Sequence, residues 1–247
     1  MSIDAKNRKV ALITGSTKGV GKQIAIDLLK KNYFVILNYA HSDAEAQNVR
    51  EYLQEISENF IIVKADLSSV DGLTTLTDKV RQTTEKIDCL ILNAGKTLKV
   101  DFQEISFDAW SKVLATNVDI PFFLIQKLSD LLSSGGRIIF IGSLLGIMPH
   151  GISIAYGVSK AAQHKLAQYL VKVFSDKEIT VNVVAPGFID TPWQKNKSVD
   201  HRRRIEEKIS LKRFGKTEEV SQTCLHLIEN GYINGQVIVV DGGYCYQ

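Results

Sequence analysis

Cysteine, proline, methionine and tryptophan are all scarce in this 247-residue chain, at three, four, two and two copies. Each shortage excludes something. Cys89, Cys224 and Cys245 are an odd, widely spaced set without a CxxC pair, so neither a disulfide framework nor a zinc site is indicated, and a reducing compartment fits. No Pro/Gly-rich stretch interrupts the chain, which reads as one domain over 1–247. No segment approaches the ~18 apolar residues of a membrane span. The opening MSIDAKNRK is polar where a secretory leader needs an apolar core, so a cytoplasmic protein is expected. A dominant charge is missing too: 30 Lys and Arg against 27 Asp and Glu leave +3, too weak a bias to point to nucleic acid. The basic run at 201–204 reads as a solvated helix face, with a patch for an acidic substrate or carrier as the alternative. No His/Asp/Glu cluster stands at metal-ligand spacing, so no metal is expected.

What is present is alternation. Apolar residues make up 45% of the chain, enough for a substantial core. Short β-branched runs at 10–14, 34–39, 61–65, 87–92, 137–142, 180–184 and 237–240 alternate with amphipathic stretches at 22–31, 44–57, 71–84, 107–132, 155–175 and 217–229. That order predicts an α/β fold, a doubly wound parallel sheet of seven strands with helices on both faces. Residues 188–214 read as an insertion after the sixth strand. In such sheets ligands bind beyond the carboxyl ends of the strands, where this insertion would cover a site.

The first strand runs into Gly15-Ser16-Thr17-Lys18-Gly19-Val20-Gly21 and then an amphipathic helix. Strand, glycines and helix in that order suit a dinucleotide pyrophosphate, because glycine admits a tight turn and the helix N-terminus attracts negative charge. A nucleoside-triphosphate loop is excluded, since five residues separate Gly15 from Gly21 and Gln23 stands where a hydroxyl is required. NAD-binding versions carry a carboxylate at the end of the second strand for the ribose 2′-hydroxyl. Here that end reads Asn38-Tyr39-Ala40-His41-Ser42, and no acid appears until Asp43. Asn38, His41, Ser42 and Lys18 could instead donate to a 2′-phosphate, so NADP(H) is the expected cofactor.

Ser143 follows the fifth strand, and Tyr156 and Lys160 lie at i and i+4, on one helix face. A phenol with a pKa near ~10 is a poor base. A neighbouring ammonium stabilises its anion, which Lys160 is spaced to do. Ser143 could hydrogen-bond a substrate oxygen as charge develops. Asn117 could hold a water that reconnects the lysine to solvent. Taken singly, each is an ordinary turn, cap or helix residue; together they form a proton-handling set. His150 and His164 read as packing or subunit-contact residues, Trp110 as a packing or helix-contact residue, and Trp193 as a candidate for lining a substrate pocket.

Over essentially its whole length the chain resembles the short-chain dehydrogenase/reductase family. The matching pieces are TGSTKGVG at 14–21, Asp66 in KADLSS, Asn93-Ala94-Gly95, Asn117, Ser143, Tyr156 with Lys160, Pro186-Gly187 and Thr191. The resemblance implies Asp66 and Leu67 bordering the adenine, and Asn93, Ala94 and Gly95 walling the cofactor. It also implies Pro186, Gly187, Ile189 and Thr191 near the nicotinamide carboxamide, a strand order of 3-2-1-4-5-6-7, and a homotetramer. Within the family, VNVVAPGFIDT and GQVIVVDGGY most resemble bacterial 3-oxoacyl-acyl-carrier-protein reductases, which implies an acyl-thioester substrate and an acyl carrier protein as partner. Such enzymes commonly carry basic residues before the fifth strand, where this chain has 128–134, LSDLLSS; Lys177 is a basic residue that could meet an acidic carrier. The same site on a small ketone, sugar or steroid-like alcohol is the alternative. A non-catalytic cofactor-sensing protein is a third reading, against which the complete proton-handling set argues.

Overall fold

The computed structural model describes residues 8–149 and 153–246, so His150 lies outside the described residues. Seven strands form a single sheet: β1 (Val10–Ile13), β2 (Phe34–Tyr39), β3 (Phe60–Lys64), β4 (Ile87–Leu92), β5 (Leu132–Ile141), β6 (Thr180–Pro186) and β7 (Val237–Val240). Their order is β3-β2-β1-β4-β5-β6-β7, and every neighbouring pair is parallel. β1 is buried along its whole length, because a parallel sheet is covered on both faces and its strands read as continuous apolar runs. Alternate side chains go to two cores. Leu12, Ile36, Leu90 and Phe140 fill one face, and Ile13, Leu37, Ile91 and Ile139 the other. Each such side chain contributes about 1.5–3 kcal/mol by leaving water.

The helices are α1 (Gly19–Lys30), α2 (Asp43–Gln54), α3 (Val70–Thr83), α4 (Phe107–Leu114), α5 (Ile120–Leu128), α6 (Ile154–Val173), α7 (Val199–Lys208) and α8 (Thr217–Glu229). Four begin at a serine whose hydroxyl accepts the backbone N–H three residues on: Ser42 from Glu45, Ser69 from Gly72, Ser106 from Ala109 and Ser198 from His201. No helix among the described residues is long and apolar enough to cross a membrane.

Two expected elements differ. The single helix over 107–132 is two helices joined by a π turn at Ala115–Asp119, and it stops at Leu128. Pro121 lies at the start of α5, and without an N–H it cannot continue the α-helical ladder from the preceding turn. β5 begins at Leu132, five residues before the expected 137, and its pairing with β4 slips between Ile87 and Cys89. Ser133, Ser134, Gly135 and Gly136 carry no strand-like pattern; they bulge out between the Leu132 and Arg137 pairings, opposite Asp88 alone, and Gly135 turns with φ +70. The insertion folds as a 3-10 turn at Pro192–Gln194 followed by α7. Ile205, Ile209 and Phe214 give it a small apolar cluster against Phe188 and Tyr244. On α7, Arg202 pairs with Asp190 and Glu206, and Arg203 with Glu207, as suits a solvated face. Lys177 is turned inward, its Nζ donating to the carbonyls of Ser129 (2.9 Å) and Leu132 (3.3 Å), so it ties down the approach to β5 rather than standing free for an acidic partner.

Candidate active site

The carboxyl ends of β1, β4, β5 and β6 converge on one edge of the sheet. There the glycine segment is braced from several sides. Thr14 Oγ1 accepts the backbone N–H groups of Asn93 and Ala94, both at 3.0 Å. Asn93 Nδ2 donates to the carbonyls of Thr14 (3.0 Å) and Gly15 (2.7 Å). Gly15 has φ +60, and a Cβ there would stand 2.9 Å from Ala94 Cα, so only glycine turns this tightly against the β4 loop. Ser16 is fully buried, and its hydroxyl donates to Ile13 O at 3.0 Å; Thr17 is buried beside it.

Asn38 departs from its expected role. It is 2% exposed, its Oδ1 accepts from Gly15 N at 3.2 Å and its Nδ2 donates to Ala65 O at 2.9 Å. With the amide committed to these main-chain partners, Asn38 holds the glycine segment to β2 and β3 rather than offering donors to a phosphate.

The N-terminus of α1 is different from its neighbours. Lys18 at the cap makes no side-chain capping bond, and the first turn, which includes Gly19, Val20 and Gly21, has no acidic residue. Its free N–H groups and positive end therefore face outward, as a pyrophosphate requires. Gly19 has φ +56, and the nearest atom to a Cβ there is Thr191 Cγ2 at 3.4 Å, so the chain after β6, with Pro186, Gly187 and Ile189, arrives beside the glycine segment. These features fit a bound dinucleotide. At the end of β2, Tyr39 Oη donates to Asp43 at 2.8 Å and Lys64 Nζ to the same carboxylate at 2.7 Å. Those two bonds hold the Asp43 carboxyl below its usual range. Lys18 is 3.3 Å from Glu45, and His41 is 3.7 Å from Asp66, both pairs largely exposed. Ser42 caps α2, and Leu67 is buried behind Asp66.

The expected catalytic residues come together across three elements. Ser143 leaves β5, Tyr156 and Lys160 lie on α6, and Asn117 lies in the π turn. Burial pushes the Tyr156 phenol up to about 12, and a hydrogen bond with the Ser143 side chain opposes this. Trp193 of the insertion stands near it with ring centroids 6.3 Å apart. Lys160 is 2% exposed, and burial lowers its amine to about 7. Its Nζ lies 5.5 Å from the Tyr156 ring centroid and donates to Ile141 O at 2.7 Å and Gln163 Oε1 at 2.9 Å. In this arrangement the downward pull on the phenol comes from Ser143. The lysine directs its two hydrogen bonds to Ile141 O and Gln163 Oε1 rather than to the phenol oxygen. Asn117 is fully buried: its Oδ1 accepts Lys96 N at 2.8 Å and its Nδ2 donates to Lys96 O and Ser159 Oγ, both at 2.8 Å. Its side chain fixes the loop after Gly95 against α6.

Two buried side chains were not assigned to the site in advance. Gln163, 0% exposed, contacts Lys160; its position one turn past the lysine was the available signal. His164, read as a packing residue, accepts the backbone N–H of Ser143 at Nε2 (3.4 Å), and a Cβ on Gly142 or Gly146 would strike its ring. Burial and Lys160 together lower its pKa to about 4. Since an unfolded His titrates near ~6.5, the unfolded chain takes up a proton as pH falls from there towards 4 while the folded chain does not. His164 is therefore expected to remove about 2 kcal/mol of stability across that window, full on the alkaline side and lost on the acid side. Denaturant unfolding at several pH values of wild type and His164→Met checks it; equal slopes between pH 6.5 and 4 would contradict the assignment. Among the described residues no group of three His, Cys, Asp or Glu is placed to hold a metal.

A glycine-braced dinucleotide cradle beside buried Ser143 and Lys160 and half-buried Tyr156 defines an oxidoreductase of CH–OH and C=O groups. A family model described as Enoyl-(Acyl carrier protein) reductase matches residues 15–245. The 3-oxoacyl-[acyl-carrier-protein] reductase of Buchnera aphidicola subsp. Schizaphis graminum (strain Sg) is 33% identical, over 96% of this chain and 97% of its own. The 2-dehydro-3-deoxy-D-gluconate 5-dehydrogenase of Pseudoalteromonas atlantica is 32% identical, over 96% and 95%. Among solved structures, the Pseudomonas aeruginosa RhlG/NADP active-site complex is 31% identical with a TM-score of 0.88, covering 99% of each chain. The chain belongs to the short-chain dehydrogenase/reductase family.

Proposed function

We propose that this protein reduces a carbonyl to an alcohol with NADPH, as a 3-oxoacyl-thioester reductase. The observation that carries this reading is the Ser143 to Tyr156 hydrogen bond, held against the buried Lys160. A bound nicotinamide supplies the hydride. Tyr156 donates its proton to the carbonyl oxygen, and its high pKa keeps that proton in place at neutral pH until negative charge forms on the substrate. Ser143 donates a hydrogen bond to the same oxygen and then to the phenolate. Gly15, Gly19 and Gly21, with the uncapped start of α1, would hold the pyrophosphate. Asp66 and Leu67 would border the adenine, and Asn93, Ala94 and Gly95 the cofactor's middle. Trp193 and the rest of 188–214 would form the substrate loop.

The preference for the 2′-phosphate rests on cations. Lys18 and Lys64 flank the end of β2 in exposed pairs with Glu45 and Asp43, and the first acid after it, Asp43, is turned onto Tyr39 and Lys64. The expected result is a kcat/KM for NADPH at least about tenfold above that for NADH, measured by the loss of reduced-cofactor absorbance; a preference for NADH would overturn it. Acetoacetyl thioesters, simple ketones and keto-sugars, tried in the same assay, test the substrate class. A sugar-type substrate is the second reading, favoured by the 32% identity to the gluconate dehydrogenase. Delivery of the substrate by an acyl carrier protein, and assembly as a homotetramer, belong to the proposal. Exposed Phe123, Tyr169 and Val173 on α5 and α6 support an assembly, which sedimentation would measure.

A further inference from the structure

One turn beyond Lys160, α6 carries a second fully buried polar side chain that the proton transfer above does not use. Gln163 is 0% exposed, and an amide stays inside a protein only when its donors and acceptor are paired. Its Oε1 accepts from Lys160 Nζ at 2.9 Å. Its Nε2 donates to the main-chain carbonyl of Asn117, 46 residues away in sequence. That carbonyl is open to it for a reason visible in the chain. Its ordinary α-helical partner would be the N–H of residue 121, which is proline and has none, and the π turn at Ala115–Asp119 carries the backbone past this gap. Gln163 thus reaches both Asn117 O and Lys160 Nζ, the two groups that the expected relay water would join.

We propose that Gln163 is a positioning residue for Lys160, standing in place of a bridging water between Asn117 and the amine. This rests on Tyr156 and Lys160 being the proton-handling pair. A carboxamide neither takes up nor releases a proton near neutrality, so no proton passes along Lys160, Gln163 and Asn117, and that direction is closed. What the amide supplies is orientation and an acceptor for the charged amine, which opposes burial. The other groups around the amine are few. On its own helix they are the titratable Tyr156 and His164. From β5 it meets the Ile141 carbonyl, and a Cβ on Gly95, after β4, would lie 3.6 Å from Nζ.

Three variants of the full chain test this: Gln163→Met, which keeps length and removes both hydrogen bonds, Gln163→Glu, which offers the amine a carboxylate, and Pro121→Ala, which restores a competing N–H at the Asn117 carbonyl. The first readout needs no cofactor: competitive acetylation of Lys160 with acetic anhydride across pH, followed by mass spectrometry. The midpoint is expected to fall by about one pH unit in Gln163→Met and to rise by about one in Gln163→Glu, with a smaller fall in Pro121→Ala. The second is the alkaline limb of the kcat profile, which should move in the same directions while KM for NADPH changes less than about twofold. Midpoints within a few tenths of wild type in all three would overturn the proposal and leave Gln163 as a space-filling residue. If Gln163→Met fails to fold, the opposite shifts of the other two decide. Full turnover in Tyr156→Phe would instead remove the assignment of the proton-handling pair, whatever the acetylation midpoints show.

Discussion

Tyr156→Phe is expected to reduce kcat roughly a thousandfold, the scale of a lost general acid, while leaving the NADPH dissociation constant within about twofold. Phe keeps the ring that packs near Trp193 and removes only the oxygen that bonds Ser143. With the phenol near 12 in the resting protein, wild type presents the protonated form at neutral pH. The difficult moment comes after donation, when a half-buried phenolate must be carried by the Ser143 hydroxyl and the Lys160 amine. Single-turnover kinetics with pre-bound NADPH separates this step from binding and product release. A variant that consumes NADPH at the wild-type rate would make another group the acid and return Tyr156 to a structural role.

Gly21→Ala is expected to weaken NADPH binding about a hundredfold, near 3 kcal/mol, and to lower Tm by several degrees. A Cβ at this position would lie 2.5 Å from Asn93 Nδ2 and 2.7 Å from the Gly15 carbonyl. The Asn93 amide can swing aside, but only by releasing the carbonyls of Thr14 and Gly15 that it holds. The Gly15 carbonyl is backbone, and its displacement shifts the turn that presents the N–H groups at the start of α1. Fluorescence titration with NADPH and a thermal melt measure both effects. Binding within twofold of wild type would detach the glycine segment from the cofactor site.

Some of this molecule was readable along the chain because its signals are local. β2, β4, β7 and α8 occupy the spans their apolar periodicity marked. Glycines between a strand and a helix, and Tyr and Lys four apart, keep their meaning wherever the segment lies. The helix through 107–132 was misread because its hydrophobic period continues across Pro121, and the missing N–H outweighs that period. The early start of β5 was invisible because residues 133–136 are a bulge without strand pattern, and Leu132 joins the sheet only through its pairing with Ile87.

The polar network was the least legible part. Asn38 lies at the end of the second strand, where a ribose or phosphate ligand belongs, yet its partners are Gly15 and Ala65, 23 and 27 residues distant. Gln163 and His164 read as unremarkable helix residues until α6 packs against the π turn and the end of β5. The sequence by itself determined a parallel seven-stranded sheet, through the alternation of strand and helix, while its order 3-2-1-4-5-6-7 was implied by the family resemblance; residue types and short spacings marked the residues proposed for the proton chemistry. Only the tertiary structure decided what each buried polar group bonds to, because hydrogen bonding acts over about 3 Å while its partners are scattered tens of residues apart. For that reason the direction in which the Lys160 amine points, and hence how much it eases the Tyr156 anion, is a property of the packed molecule.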